Sequence, residues 1–149
     1  MTEKDRLHAH CLALIHQRIQ SLQEEIQLVQ ASANEETKSS AGDKYETGRA
    51  MAQNEVAQYI VQLAELERQS AALQRLAEMK AVDRVIPGSL VTASQAVFYI
   101  SISLGKVSLN GKEYLVVSPD SPIGKTLLGK SIGEVIRWQH QEMTVLTVL

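Results

Sequence analysis

Two long stripes of apolar residues, spaced alternately three and four apart, dominate the first half of the chain and limit what it can become. Ile15, Ile19, Leu22, Ile26, Val29 and Ala33 recur at spacings of 4, 3, 4, 3 and 4, and Leu12 and His8 extend the stripe backwards. Val56, Tyr59, Leu63, Leu66, Ser70, Leu73 and Ala77 recur at 3, 4, 3, 4, 3 and 4. One isolated helix cannot bury such a stripe, so each needs a partner. Residues 34–42, between the stripes, hold no large apolar side chain and predict a turn. An antiparallel helical hairpin satisfies both stripes at once, with arms of about thirty residues, roughly 45 Å long. An intermolecular bundle of two chains would satisfy the same periodicity.

Composition changes near residue 81. Residues 1–80 contain no Pro and only Gly42 and Gly48, whereas residues 81–149 contain three Pro and six Gly. Val, Ile, Thr and Ser replace Gln, Glu and Ala there, so a helical segment 1–80 precedes a β-rich segment 81–149. Strands are expected at 89–93, 97–102, 113–117 and 143–148, and Asn110-Gly111 between apolar runs predicts a tight hairpin. Residues 121–129 predict a short helix with Ser121 as N-cap, Pro122 at its first position and Gly129 ending it. The fold class expected is α+β: a coiled-coil hairpin, then a small antiparallel sheet with one short helix.

The rest of the composition excludes rather than identifies. At 44% hydrophobic and 21% charged residues, the chain is not a disordered one. It has no apolar run long enough to span a membrane, and its mixed-charge start, Met1 to Arg6, is unlike a secretory signal. No membrane partner and a cytoplasmic location are therefore expected. Cys11 is the single cysteine, which rules out an internal disulfide and a cysteine zinc cluster. A net charge of −2 and 4% aromatics argue against direct nucleic-acid binding.

Few residues carry chemistry. Gly124-Lys125-Thr126 has the end of a phosphate-binding loop, but Pro119 stands where its first glycine belongs. His8, His10, His16 and His140 read as isolated histidines, the first three on a solvated helix, and Cys11 as a small apolar residue of the hairpin. Asp43 and Glu46 are the exception. Three residues apart at the start of the second helix, they share one side of its first turn. They fit a capping arrangement. They also fit a pair of hard oxygen ligands for Mg²⁺, too few to hold it without a partner.

Two stretches carry a resemblance to a known family. Gly42-Asp43-Lys44-Tyr45-Glu46 is one, and the run from Ser121-Pro122-Ile123 through Leu127-Leu128-Gly129-Lys130 to Gly133-Glu134-Val135-Ile136 is the other. Together with the order of helices and strands, they resemble the GreA/GreB family of bacterial transcription elongation (transcript cleavage) factors. The resemblance implies that the second segment is an FKBP-like domain. It implies that the coiled coil enters the secondary channel of RNA polymerase, with its acidic tip near 34–46. There Asp43 and Glu46 would help hold a Mg²⁺ shared with the polymerase and position the water that cuts a backtracked transcript. The protein would bind no cofactor alone, act on no small-molecule substrate, meet the transcript RNA 3′ end only indirectly, and be no enzyme by itself.

The sequence also departs from that pattern. After Glu46 the family usually continues Asn-Ala-(acid)-Tyr, whereas this chain has Thr47-Gly48-Arg49-Ala50, and a glycine there weakens the helix by roughly 1 kcal/mol. Glu35 and Glu36 add carboxylates that either face the metal or solvate the turn. Lys38, Lys44 and Arg49 either approach the RNA end and polymerase acids or offset nearby carboxylates. Lys125, Lys130 and Arg137 either contribute to polymerase docking or form a solvated face. Trp138-Gln139-His140-Gln141-Glu142 replaces the family's Pro-Gly-Gly turn, so the docking surface or the last hairpin is expected to differ. A channel-binding inhibitor with the same fold, a coiled-coil adaptor, and, far behind, a peptidyl-prolyl isomerase are the rival readings.

Overall fold

A computed structural model describes the backbone of all residues except 40–42 and 81, and the side chains of all except 35–47 and 81. Helix α1 spans Glu3–Ser39 and α2 spans Asp43–Arg75, followed by a 3₁₀ turn at Leu76–Glu78. Strands β1 (Leu90–Ala93), β2 (Val97–Ile100), β3 (Gly105–Leu109) and β4 (Lys112–Val117) come next. Helix α3 (Pro122–Leu127) precedes β5 (Val135–Trp138) and β6 (Gln141–Val148). The class is α+β, with two long helices followed by a six-stranded sheet in the order β3-β4-β2-β1-β6-β5.

Helix α1 passes through Asn34 to Ser39, where a turn was expected. These residues lack apolar groups, but none is Gly or Pro, and Glu and Lys are adequate helix formers. The chain divides into two compact units, Met1–Leu12 with Ala71–Leu149, and Ala13–Ser70.

In the helical unit the stripe residues from Ile15 to Ala33 and from Val56 to Ser70 are the less exposed ones on their helices. Only Ile15 and Ser70 among them are buried. His16 Nε2 lies 3.4 Å from Ser70 Oγ. Farther along, Gln30 and Ala33 line a groove with Val56 and Ile60. Early residues of α1 thus meet late residues of α2, and late ones meet early ones.

The sheet of the other unit is mixed, which corrects the expectation of an antiparallel one. β2 pairs parallel with β4, with Phe98 opposite Leu115 and Ile100 opposite Val117. The other pairs, β1 with β2 and with β6, β3 with β4, and β5 with β6, are antiparallel. A parallel pair needs a crossover, and here the β3–β4 hairpin supplies it by returning the chain beside β2. That hairpin turns at Asn110 and Gly111, with φ of 52° and 78°, the left-handed pair that an Asn-Gly turn favours. The β5–β6 turn does the same with Gln139 (φ 49°) and His140 (φ 65°), neither of them glycine.

One face of the sheet carries Val91, Phe98, Ile100, Ile136, Met143 and Val145, packed with Ile123 and Leu127 of α3. Each large apolar side chain buried this way contributes roughly 1.5–3 kcal/mol. The opposite face carries Leu90, Tyr99, Val107, Tyr114 and Val116, also buried. The first turns of α1 contact it, through His8 to Tyr99 and Glu3 to Tyr114. Leu7 and Cys11 of those turns are fully buried, so here the buried positions fall one residue before the His8–Leu12 stripe.

Candidate functional site

Asp43 is the first residue of α2, and Glu46 follows in the same first turn. Their side chains, and those of Lys44, Glu35, Glu36 and Lys38, lie outside the described residues. Gly48 belongs to the second turn and borders a groove with Leu28 and Met51. Arg49 lines the groove that contains Ala33 and Ile60. Arg49 and Gly48 thus open toward different grooves of the helix pair.

The basic residues of the sheet unit are more dispersed. Lys125 is exposed on α3, and Lys130 Nζ lies 3.9 Å from Glu134 Oε2, a loose pair four residues apart. Arg137 is exposed on β5, opposite Glu142 of β6. Two of these three cations therefore have a carboxylate at hand, which reduces the positive field this surface presents.

The structure assembles polar pairs that the sequence reading left apart. Glu3 Oε1 accepts from Lys112 Nζ at 2.6 Å and from Tyr114 Oη at 2.7 Å. Lys112 and Tyr114 hold the Glu3 carboxyl below its usual range, while burial and that carboxylate push the Tyr114 phenol up to about 12. His8 Nδ1 lies 2.6 Å from Tyr99 Oη, and its Nε2 is buried without a partner. His8 is thus half-buried against the sheet, not an isolated histidine on a solvated helix.

No protein-family model matches the chain, and no curated protein matches it either. Its chemistry therefore rests on its own residues. Among the described residues no three His, Cys, Asp or Glu side chains gather as a metal site. No helix there is long and apolar enough to cross a membrane.

Two outcomes follow from these environments. Burial holds the His8 imidazole below its ordinary pKa, with Asp5 opposing and Lys4 reinforcing the effect. The unfolded chain then binds the proton more readily. The contribution to stability is present above about pH 6.5 and is lost as pH falls from there through the lower pKa of the folded state. Part of the ring reaches solvent, which limits the effect to about 1 kcal/mol or less. Urea titrations at pH 7.5 and 5.5 are expected to show this loss, and His8→Gln to lack it; an equal loss in the variant would remove His8 as its source.

Cys11, fully buried, has its thiol pushed up to about 12 by burial. Relative to the unfolded chain, that lowers the thiolate fraction on the order of a thousandfold. A thiol reagent at pH 8 is expected to react rapidly only after denaturant is added. Prompt labelling of the folded protein would contradict the burial.

Proposed function

We propose that the protein is a Gre-like factor that binds RNA polymerase, inserts a coiled-coil hairpin in the secondary channel and stimulates cleavage of backtracked transcripts. One observation carries the reading: α2 begins at Asp43, so the Gly-Asp-x-x-Glu segment stands where one long helix gives way to another. The helices are about 55 and 50 Å long at 1.5 Å per residue. The opposed pairing of early α1 with late α2 supports reading them as an antiparallel hairpin. A hairpin of that length suits delivery of two carboxylates into a deep channel.

In this reading Asp43 and Glu46 complete the coordination of a Mg²⁺ held mainly by the polymerase, and orient the water that attacks the phosphodiester. Lys44 and Arg49 adjoin the transcript end or polymerase acids, and Lys125 and Lys130 contribute to docking of an FKBP-like C-terminal domain. The mixed sheet with α3 on one face is compatible with that domain type. The cleavage chemistry belongs to the polymerase. The test is transcript shortening in a stalled, backtracked elongation complex, with wild type, Asp43→Asn and Glu46→Gln in parallel.

The departure at Thr47-Gly48-Arg49-Ala50, in the first turns of α2, leaves open a second reading, a channel-binding inhibitor with the same fold. Binding with slowed elongation and no cleavage would select it. No binding at all would favour a coiled-coil adaptor.

A further inference from the structure

The α1 stripe that faces α2 is not the only periodic seam on that helix. Leu14, Arg18, Ser21, Glu25, Leu28 and Ser32 also recur at spacings of 4, 3, 4, 3 and 4, about 27 Å along the axis. They border two grooves that adjoin at Glu25. The first, an open groove of about 630 Å³, is also lined by Gln17, Leu22, Gln62 and Leu66. Leu28 is 65% exposed, a large apolar side chain left in water in the middle of a long helix. Among the described residues neither Arg18 nor Glu25 forms an ion pair.

The seam is self-complementary. Read backwards from Leu28, it runs Leu, Glu, Ser, Arg, Leu. Two copies laid antiparallel therefore set Leu14 against the other copy's Leu28, Ser21 against Ser21, and each Arg18 beside the other's Glu25. Parallel pairing would oppose like charges instead. A two-fold axis demands this kind of pattern, in which residue i meets residue j and j meets i. Leu22 of α1 and Leu66 of α2 line the groove beside the same centre and place apolar surface where the copies would meet, with Gln62 next to them.

We propose that this flank of the helical unit is a self-association surface, its occupant a second copy of the chain docked antiparallel along α1. The interface draws its energy from Leu14 and Leu28, and its register from the two Arg18–Glu25 pairs. The inference stands on the helices alone, and its test uses no polymerase, so it survives or fails independently of the function proposed above.

The experiment is sedimentation equilibrium of the full chain from low micromolar to several hundred micromolar. Wild type is expected to pass from one copy to two. Arg18→Glu and Glu25→Arg are each expected to weaken association about tenfold or more, by opposing like charges across the axis. The double variant, which exchanges the charges, is expected to recover it. Leu28→Glu, at an exposed position that leaves the fold intact by circular dichroism, is expected to abolish it. A chain that stays monomeric throughout, a double variant as weak as the singles, or an association indifferent to these changes would overturn the proposal.

Discussion

Replacing Gly124 by Ala is expected to destabilise the sheet unit by about 3 kcal/mol, although Ala is intrinsically the better helix residue by about 1 kcal/mol. Gly124 is buried in α3, and a Cβ there would collide with the Ser118 carbonyl oxygen, a backbone atom that cannot swing aside. It would also come within 2.9 Å of Ser121 Oγ and 3.0 Å of the Pro119 carbonyl oxygen. Those same atoms build the helix cap. Ser121 Oγ accepts from Gly124 N at 3.1 Å, and its hydroxyl donates to the Ser118 carbonyl at 2.6 Å. Relieving the collision displaces the 118–121 loop and breaks the cap, which alone stabilises by about 1 kcal/mol.

Ser121→Ala supplies the scale, since it removes the cap without the collision. Urea unfolding followed by Trp138, the only tryptophan, reports on this unit, because its side chain packs against the α3 core. Gly124→Ala should lie well below Ser121→Ala. A Gly124→Ala protein as stable as wild type would mean that the loop yields freely.

On the proposed function, Asp43→Asn is expected to reduce the transcript cleavage that this protein stimulates in the polymerase about a hundredfold or more, while leaving the fold and polymerase binding nearly unchanged. The substitution separates two roles that can coexist on one residue. Asp43 stands in the first turn of α2, where Asn gives up only the carboxylate's interaction with the helix dipole, so stability should change by no more than about 1 kcal/mol. The neutral amide is a far poorer ligand for Mg²⁺, a hard cation that prefers carboxylate oxygens. Raising Mg²⁺ should restore part of the lost rate, because the defect lies in metal affinity. Wild-type cleavage rates with Asp43→Asn would remove metal delivery from the proposed function and leave this residue only its place in the first turn of α2.

The sequence alone determined the features that depend on near neighbours. Alternation of three and four residues picked out the half-buried positions of α1 from Ile15 to Ala33 and of α2 from Val56 to Ser70. The Asn110-Gly111 turn and the Ser121 cap appear where local chemistry requires them. Such signals are local: a left-handed turn or an N-cap is decided within about four residues.

Most of what the tertiary structure decided involves residues far apart in the chain. The parallel β2–β4 pair joins Phe98 to Leu115 and could not be read from strands expected one by one. β5 is linked to β6 by Gln139-His140, which carries no glycine signal. His8 became a partner of Tyr99 across 91 positions, and Cys11 a core residue, because the first turns of α1 pack on the sheet. Gly124 looked like a fragment of a phosphate loop. Its role is steric and local, to let the carbonyl of Ser118, six residues back, approach where any Cβ would stand. Periodicity can say which face of a helix is apolar; only packing says what that face meets.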